Sequence, residues 1–141
     1  MATDIVLFKG EKLKLGYENI IEARIRNLNQ IKGRTPELTI VEANDSEEAR
    51  KASESRNIDI IIGVERSDRK DKMSFRESGL NQVICTLCRE HNIAIAISVS
   101  DIINSPKRNY ALGRLMQNIR LCRKYGVRMI AASFAKNKYE Q

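Results

Sequence analysis

Residues 93–133 read "IAIAISVSDIINSPKRNYALGRLMQNIRLCRKYGVRMIAAS" and carry the strongest indication of the fold class. The stretch opens and closes with runs, Ile93–Ser100 and Val127–Ser133, that are apolar at nearly every position. Such runs are typical of strands that are buried on both faces, as in parallel sheets. Between the runs, Ser105 precedes a first-turn proline, and Gly126 is a natural helix stop. We therefore predict a strand, a helix and a second strand joined as a right-handed βαβ unit.

The same alternation of strand and helix extends upstream. Leu38–Ala43 and Ile58–Val64 are two more short apolar runs, and Asp4–Phe8 predicts a strand near the start of the sequence. Asp45 is predicted to cap a short helix between the two runs, and Glu48 completes a capping box. Strands and helices that alternate in this way predict an α/β domain with a parallel sheet.

A second helix is predicted after Ser78, whose side chain is suited to cap it. Its apolar residues recur at helical spacing and define one face: Leu80, Val83, Ile84, Leu87, Cys88 and His91. Residues 16–33 fit two interpretations, an amphipathic helix or a strand followed by a short helix. Residues 66–76 are a charged connection that we predict to be a mobile loop.

The helix before Gly126 has two faces of different character. One face is apolar and is predicted to pack on the sheet: Leu112, Leu115, Met116, Ile119 and Cys122. The opposite face mixes apolar and polar side chains: Tyr110, Arg114, Gln117, Leu121 and Lys124. A solvated face with two stray apolar side chains is common. The alternative is a docking surface for a protein partner, for RNA phosphates, or for both.

The charge of the chain is concentrated in its last third. The formal net charge is +7, yet residues 1–100 contain 16 basic and 16 acidic residues. Residues 101–141 contain nine basic residues against two acidic ones, so they hold the whole excess. A field this one-sided favours a polyanionic partner. The plain alternative is a basic helix that is only solvated.

The amino-acid composition argues against three classes of protein: membrane-spanning proteins, secreted disulfide-linked proteins and hydrolases with several histidine ligands. The sequence has no run of eighteen apolar residues, so no membrane span is predicted, and its first residues lack the pattern of a secretory signal. An odd number of cysteines, three, argues against a disulfide framework and suits a reducing cytosol. A single histidine excludes hydrolases that need several histidine ligands.

The cysteines invite a zinc interpretation that the spacing does not favour. Cys85 and Cys88 precede His91, but a four-ligand zinc site pairs two such dyads, and only Cys122 remains. Helical phase places Cys88 at the edge of the core and Cys85 outside it. We therefore predict ordinary packed cysteines and a packed histidine at the end of a helix.

Polar residues at the predicted strand ends give a second possible site. In parallel α/β folds, catalytic groups lie at the carboxyl ends of strands. Here Glu42, Glu65 and Asp101 are carboxylates from three strand ends that could hold a magnesium ion. Polar strand ends are general in such folds, so this alternative, a small magnesium-dependent barrel hydrolase, ranks second.

Several segments, taken in order, resemble one family, archaeal ribonuclease P protein component 3. The resemblance runs from about Glu37 to the end of the sequence and rests on the order and spacing of these residues: Glu77-Ser78-Gly79-Leu80-Asn81, Asn92-Ile93-Ala94-Ile95, Asn118, Leu121, Arg123-Lys124-Tyr125, Val127, Ser133 and Ala135. Three positions depart from the family pattern: Gln82 replaces a histidine, Glu77 an aspartate and Phe75 an arginine. The family is usually longer at both ends, and residues 68–75 resemble an insertion.

The resemblance implies an incomplete (β/α) barrel of the TIM type, with about five to six mainly parallel strands. It also favours the strand interpretation of residues 16–33. An open barrel exposes edge strands, so we expect a partner or a second copy of the chain to cover it.

The resemblance also implies a function. In ribonuclease P the RNA is the catalyst and uses magnesium to remove the 5′ leader of precursor tRNA, while component 3 acts with protein component 2 as a protein cofactor. The chain is then expected to bind no cofactor of its own and to meet precursor tRNA only indirectly. We predict RNA contacts at Lys107, Arg108, Arg114, Arg120, Arg123 and Lys124. Protein contacts are predicted at Tyr110, Gln117 and Leu121.

Overall fold

The computed structural model describes residues 2–11, 15–66, 70–71, 73 and 77–140. These residues form seven strands: β1 Thr3–Val6, β2 Asn19–Glu22, β3 Ile25–Arg26, β4 Ile40–Glu42, β5 Ile60–Ile62, β6 Ala94–Ser98 and β7 Met129–Ala132. The α-helices are α1 Ser46–Glu54, α2 Gln82–Glu90, α3 Val99–Asn104 and α4 Arg108–Tyr125. Short 3₁₀ turns cover Leu28–Gln30 and Val64–Arg66. Among the residues described, no helix is long and apolar enough to span a membrane.

All strand pairs are parallel. One sheet has the order β3-β4-β5-β6-β7, and β1 pairs with β2 in a second, two-stranded sheet. β2 and β3 follow each other directly in the chain, so one extended segment joins the two sheets. The strand interpretation of residues 16–33 is therefore confirmed, and so is the α/β fold class of an incomplete TIM-type barrel.

β1 connects the two ends of this arrangement. On one side it pairs with β2, and on the other it contacts the chain directly after β7, where Val6 and Ala135 form a parallel bridge. Phe134 N–H donates to the Ile5 carbonyl at 2.8 Å. The buried Asp4 carboxylate accepts from Ser133, with the N–H at 2.8 Å and the hydroxyl at 2.7 Å. The ring of strands therefore closes at its carboxyl end, where we expected an open edge.

Successive side chains of the central strands point into two different buried clusters. Ile40, Ile60 and Ile62 lie in a cluster inside the ring with Phe134, whereas their neighbours in sequence belong to a second cluster between sheet and helices. Val41, Ile61 and Ile95 are the strand members of that outer cluster. Side chains of a strand alternate between faces, so strands with both faces buried must be apolar at every position. This explains the continuous apolar runs of the sequence.

Local signals set most element boundaries. Asp45 caps α1 and accepts from Glu48 N–H at 2.8 Å, while the Glu48 side chain accepts from Asn44 N–H at 2.8 Å. Gly126 ends α4 in the left-handed conformation, with φ of 70°, as predicted.

Two predicted helix starts are wrong. α2 is capped by Asn81, which accepts from Ile84 N–H at 3.0 Å, whereas Ser78 is buried upstream. The strand predicted through Ser100 ends at Ser98, because the Ser98 side chain caps α3. Ser105 ends α3, and α4 begins at Arg108. Of the predicted mobile loop, residues 67–69, 72 and 74–76 lie outside the described residues, and its mobility stays a prediction.

Candidate nucleic-acid interface

α4 carries most of the residues predicted from the sequence as a binding site. It is 18 residues long and contains no acidic residue. The N-cap residue Lys107, directly before the helix, makes no side-chain capping hydrogen bond, and the last turn carries Arg123 and Lys124. Basic residues at a helix C-terminus are stabilised by the helix dipole.

The face of α4 that packs on the barrel includes two polar side chains, Arg114 and Asn118, beside the apolar Cys122. Arg114 is buried, and its guanidinium donates to Asp71 Oδ1 at 3.1 Å and to the Glu65 carbonyl at 3.1 Å. Asn118, one turn later, is also buried and donates to the Ser78 carbonyl at 3.0 Å. These contacts offset part of the cost of burying polar groups, although Asn118 Oδ1 and Ser78 Oγ are buried without a hydrogen-bond partner among the described residues.

The predicted orientation of α4 is therefore wrong. Arg114 and Leu121 were expected to face outward, but Arg114 is buried and Leu121 packs against the outer core cluster. Leu112 and Met116 were expected in the core, but 42% and 56% of their surface is exposed. The helix is rotated because Arg114 and Asn118 find hydrogen-bonding partners far away in the sequence.

The exposed face of α4 joins apolar and basic side chains. Leu112 and Met116 lie four residues apart, and Arg120 and Arg123 continue the same face toward the C-terminus. Tyr110 is exposed at 60%, whereas Gln117 is half-buried. The sequence did not indicate that Leu112 and Met116 are surface residues, because apolar residues on an amphipathic helix are ordinarily assigned to the core.

Five of the six predicted RNA-contacting residues are exposed: Lys107, Arg108, Arg120, Arg123 and Lys124. Arg108 donates to the carbonyl of Ile103, and Lys124 lies 5.4 Å from the ring centroid of Tyr125. None of the five forms an ion pair with a carboxylate within the part of the chain that the structure describes. Their charges are therefore available to an external anion.

A cleft of about 640 Å³ lies beside the start of α4, at the carboxyl ends of the strands. Its lining includes Glu65, Arg66, Lys107, Tyr110 and Arg114. Burial raises the pKa of the Glu65 carboxyl above its ordinary value. The cleft thus brings three of the predicted residues together with one of the three predicted strand-end carboxylates.

The other two carboxylates surround an arginine. Arg66 lies 3.0 Å from the Glu42 carboxylate and 3.5 Å from that of Asp101. Lys136 lies 3.9 Å from the other oxygen of Asp101. In the described part of the chain, no three histidine, cysteine or carboxylate side chains come close enough to share a metal ion. The Arg66 guanidinium therefore already balances the negative charges of Glu42 and Asp101, which were the predicted ligands of a magnesium ion.

The three cysteines lie together in the outer core cluster. Cys85 was expected outside the core, but it is as buried as Cys88 and Cys122, because α2 packs against α4 at this face. A hydrogen bond with the Cys122 thiol lowers the pKa of Cys85, and burial raises the pKa of Cys88 to about 12. His91 ends α2 with Nδ1 2.7 Å from the Ser53 carbonyl oxygen, which confirms a packed helix-end histidine.

Together these features define a class: an α/β protein with a ring of parallel strands and an outer helix that exposes basic and apolar side chains. No family model matches the sequence. The sequence is 33% identical over 67 residues to "Ribonuclease P protein component 3" of Methanosarcina barkeri, a match that covers 46% of this chain and 28% of that protein. It is 24% identical over 140 residues to the protein of the same name from Methanococcus vannielii, covering 96% of this chain and 54% of that protein.

The structure is also similar to a chain in a cryo-EM structure of archaeal ribonuclease P with mature tRNA. The TM-score is 0.61 and the sequence identity 25%, over 73% of this chain and 42% of that chain. The resemblance to ribonuclease P protein component 3 is therefore confirmed. The chain spans about half the length of the Methanococcus vannielii protein.

Proposed function

We propose that this chain is a protein subunit of a ribonuclease P ribonucleoprotein in the cytoplasm. In this proposal the RNA of the complex holds the magnesium and removes the 5′ leader of precursor tRNA, and the chain supports that reaction by binding. The names of the two relatives and the complex that contains the structural neighbour support it.

The observation that carries the proposal is the exposed basic surface of α4. Lys107 and Arg108 begin the helix, Arg120, Arg123 and Lys124 end it, and no carboxylate interrupts it. Lysine and arginine side chains bind nucleic acid by displacing the counterions of its phosphates. Such residues also reduce the magnesium that a crowded RNA needs, because they supply part of the same counter-charge.

Two residues of the predicted site are replaced in this proposal. Arg114 is held by Asp71 inside the molecule, so the RNA-contacting set becomes the five exposed basic residues. Leu121 packs against the outer core cluster, so Leu112 and Met116 become the apolar contacts with a protein partner. The exposed Tyr110 lies on another side of α4, beside the cleft. Protein component 2 is the partner that we propose for this surface.

The proposal is tested by cleavage of precursor tRNA by the cognate RNA and component 2 across a magnesium series, with and without this chain. We expect the chain to lower the magnesium concentration that gives half-maximal cleavage. The double substitution R120Q and R123Q is expected to reverse most of that shift. As a control, Arg50→Gln removes an exposed arginine that pairs with Glu54 on α1 and should change nothing. A folded chain that leaves the magnesium dependence unchanged would contradict the proposal.

The partner surface has its own test. Replacing Leu112 and Met116 by alanine is expected to weaken binding to component 2, measured by calorimetry, while leaving the melting temperature unchanged because both side chains are exposed. Val83→Ala is the matched control, since Val83 is 51% exposed on a different helix, α2. Equal binding by both variants would exclude this face.

A further inference from the structure

Three arginines meet at the amino end of the strands, opposite the cleft described above. Arg34 precedes β4, Arg56 follows α1 and Arg128 precedes β7, yet all three line one cavity of about 280 Å³. Its floor is formed by residues at the beginning of strands, among them Ile60 and Ala94. The cavity therefore lies at the end of the barrel where the strands begin.

One carboxylate, Asp59, is found among the described residues of this cavity, and it holds one of the arginines in place. Asp59 Oδ1 accepts from Arg34 Nη2 at 2.6 Å, and Asp59 Oδ2 accepts from Thr39 N–H at 2.9 Å. Both oxygens of Asp59 are thus engaged. The pair fixes the Arg34 guanidinium at the rim, where 56% of the side chain remains exposed.

The other two guanidiniums have little internal compensation. Arg128 Nη2 lies 3.4 Å from the carbonyl oxygen of Asn92, a long hydrogen bond to a neutral group. Neither Arg56 nor Arg128 forms an ion pair with any residue that the structure describes. Among the described residues, the lining therefore has three arginines, all exposed, against one carboxylate.

An arginine at this end of a (β/α) unit has an ordinary structural explanation. α1 and α2 end here, and cations near a helix C-terminus are stabilised by its carbonyl groups. That explanation accounts for the contact of Arg128 with Asn92. It does not account for three arginines from separate segments lining one cavity that has one described carboxylate, an excess of positive charge that a bound anion would balance.

We propose that this cavity binds a phosphate group of an RNA backbone, which deepens the proposed function and rests on it. Guanidinium groups recognise phosphate with paired hydrogen bonds, and the three arginines approach from three separate segments. The open rim suits a phosphate of a long chain that passes across the barrel end. The chain then holds RNA at two places, α4 and the amino end of the strands.

The first experiment follows the arginine Nε–Hε resonances by NMR during titration with inorganic phosphate and, separately, with a single-stranded RNA oligonucleotide, at constant ionic strength. We expect Arg34, Arg56 and Arg128 to shift together and to saturate with both ligands, while Arg50 stays in place. A response to phosphate alone would identify a small-anion site and overturn the RNA assignment. Shifts of equal size at Arg50 would overturn the site.

The second experiment measures RNA binding against salt for R56Q with R128Q. Each phosphate contact that is lost lowers the slope of log K against log salt by about 0.7 to 0.9, so two lost contacts lower it by roughly 1.5 and the affinity on the order of tenfold. The double variant R24Q with R50Q removes the same charge from two exposed arginines elsewhere and is expected to show a smaller loss of affinity with no such change of slope.

The α4 variant R120Q with R123Q separates this inference from the proposed function. If it weakens RNA binding while R56Q with R128Q behaves like the control, the cavity is not an RNA site and the proposed function stands. If neither pair weakens binding although circular dichroism shows folded protein, both fail. Loss in both pairs is the result that we expect.

Discussion

The two ends of the barrel differ in how their charges are balanced. At the carboxyl end, Glu42 and Asp101 surround Arg66, and Asp71 holds Arg114. At the amino end, three arginines share one cavity with a single carboxylate, Asp59. Among the residues that the structure describes, these two arginines are therefore balanced by carboxylates at the carboxyl end, whereas arginines exceed carboxylates in the cavity at the amino end.

This difference separates the chain from a typical (β/α) barrel enzyme. Enzymes of that fold place their catalytic groups at the carboxyl end of the strands, on loops that remain free to meet a substrate. Here Arg66 and Arg114 at that end are paired with carboxylates of the same chain. The free charge lies on α4 and at the amino end, which favours the binding of a polyanion over chemistry at the strand ends.

The largest expected effect tests how rigid the carboxyl end is. Gly79 has φ of +85°, and a Cβ there would lie 2.2 Å from the Val64 carbonyl oxygen. Gly79→Ala must therefore move backbone, and we expect it to lower the free energy of unfolding by roughly 4 kcal/mol. Urea denaturation measures it. Gly33→Ala is the control, because a Cβ at Gly33 has open space and should change stability little. Equal stability of the two variants would show that this end is not rigid.

The second prediction removes a charge from the same end. Arg114→Met removes the ion pair with the partly buried Asp71 and the hydrogen bond to the Glu65 carbonyl. Loss of one partner from such a pair is expected to lower the free energy of unfolding by about 3 kcal/mol. Arg120→Met on the exposed side of the same helix should change it by less than about 0.5 kcal/mol. If the two variants unfold at the same urea concentration, the orientation of α4 described here is wrong.

The sequence predicted the fold better than it predicted the site. The strands were found because both of their faces are buried, so every position of β5 and β6 had to be apolar or small. The orientation of α4 could not be found in this way. The hydrogen-bonding partners of Arg114 lie 43 and 49 residues away in sequence, and local periodicity has no information on such contacts.

The arginine cavity shows the same limit. The three arginines of the cavity lie in three separate loops, and the sequence of each loop is typical of an ordinary charged turn: Arg34, Arg56 and Arg128. The excess of positive charge in the last 41 residues predicted a binding site on α4. Residues 1–100 are neutral overall, yet they supply two of the three arginines of the cavity. Net charge counted along the chain misses clusters that only the parallel order of the strands brings together.

The third prediction concerns the closure of the ring by β1. Asp4 is buried and accepts two hydrogen bonds from Ser133, beyond the end of β7. Asp4→Ala removes both, and we expect the free energy of unfolding to fall by about 2 kcal/mol, the effect of hydrogen bonds to a charged group. Amide exchange should then rise first at Phe134, whose N–H donates to Ile5. Exchange that rises equally throughout the sheet would contradict local closure by β1.

The smallest expected effect is a dependence on pH at the carboxyl end. Burial raises the pKa of Glu65 above its value in the unfolded chain, so the folded protein holds this proton more tightly. Stability contributed by the protonated group is then present below the unfolded value, near 4.5, and is lost as the pH rises through the folded pKa. Glu65→Gln keeps the neutral form at all pH values. We expect it to unfold at a higher urea concentration than the unsubstituted chain at pH 7, and at the same concentration at pH 4. A difference that is the same at both pH values would mean that folding does not shift the pKa of Glu65, and would contradict the prediction.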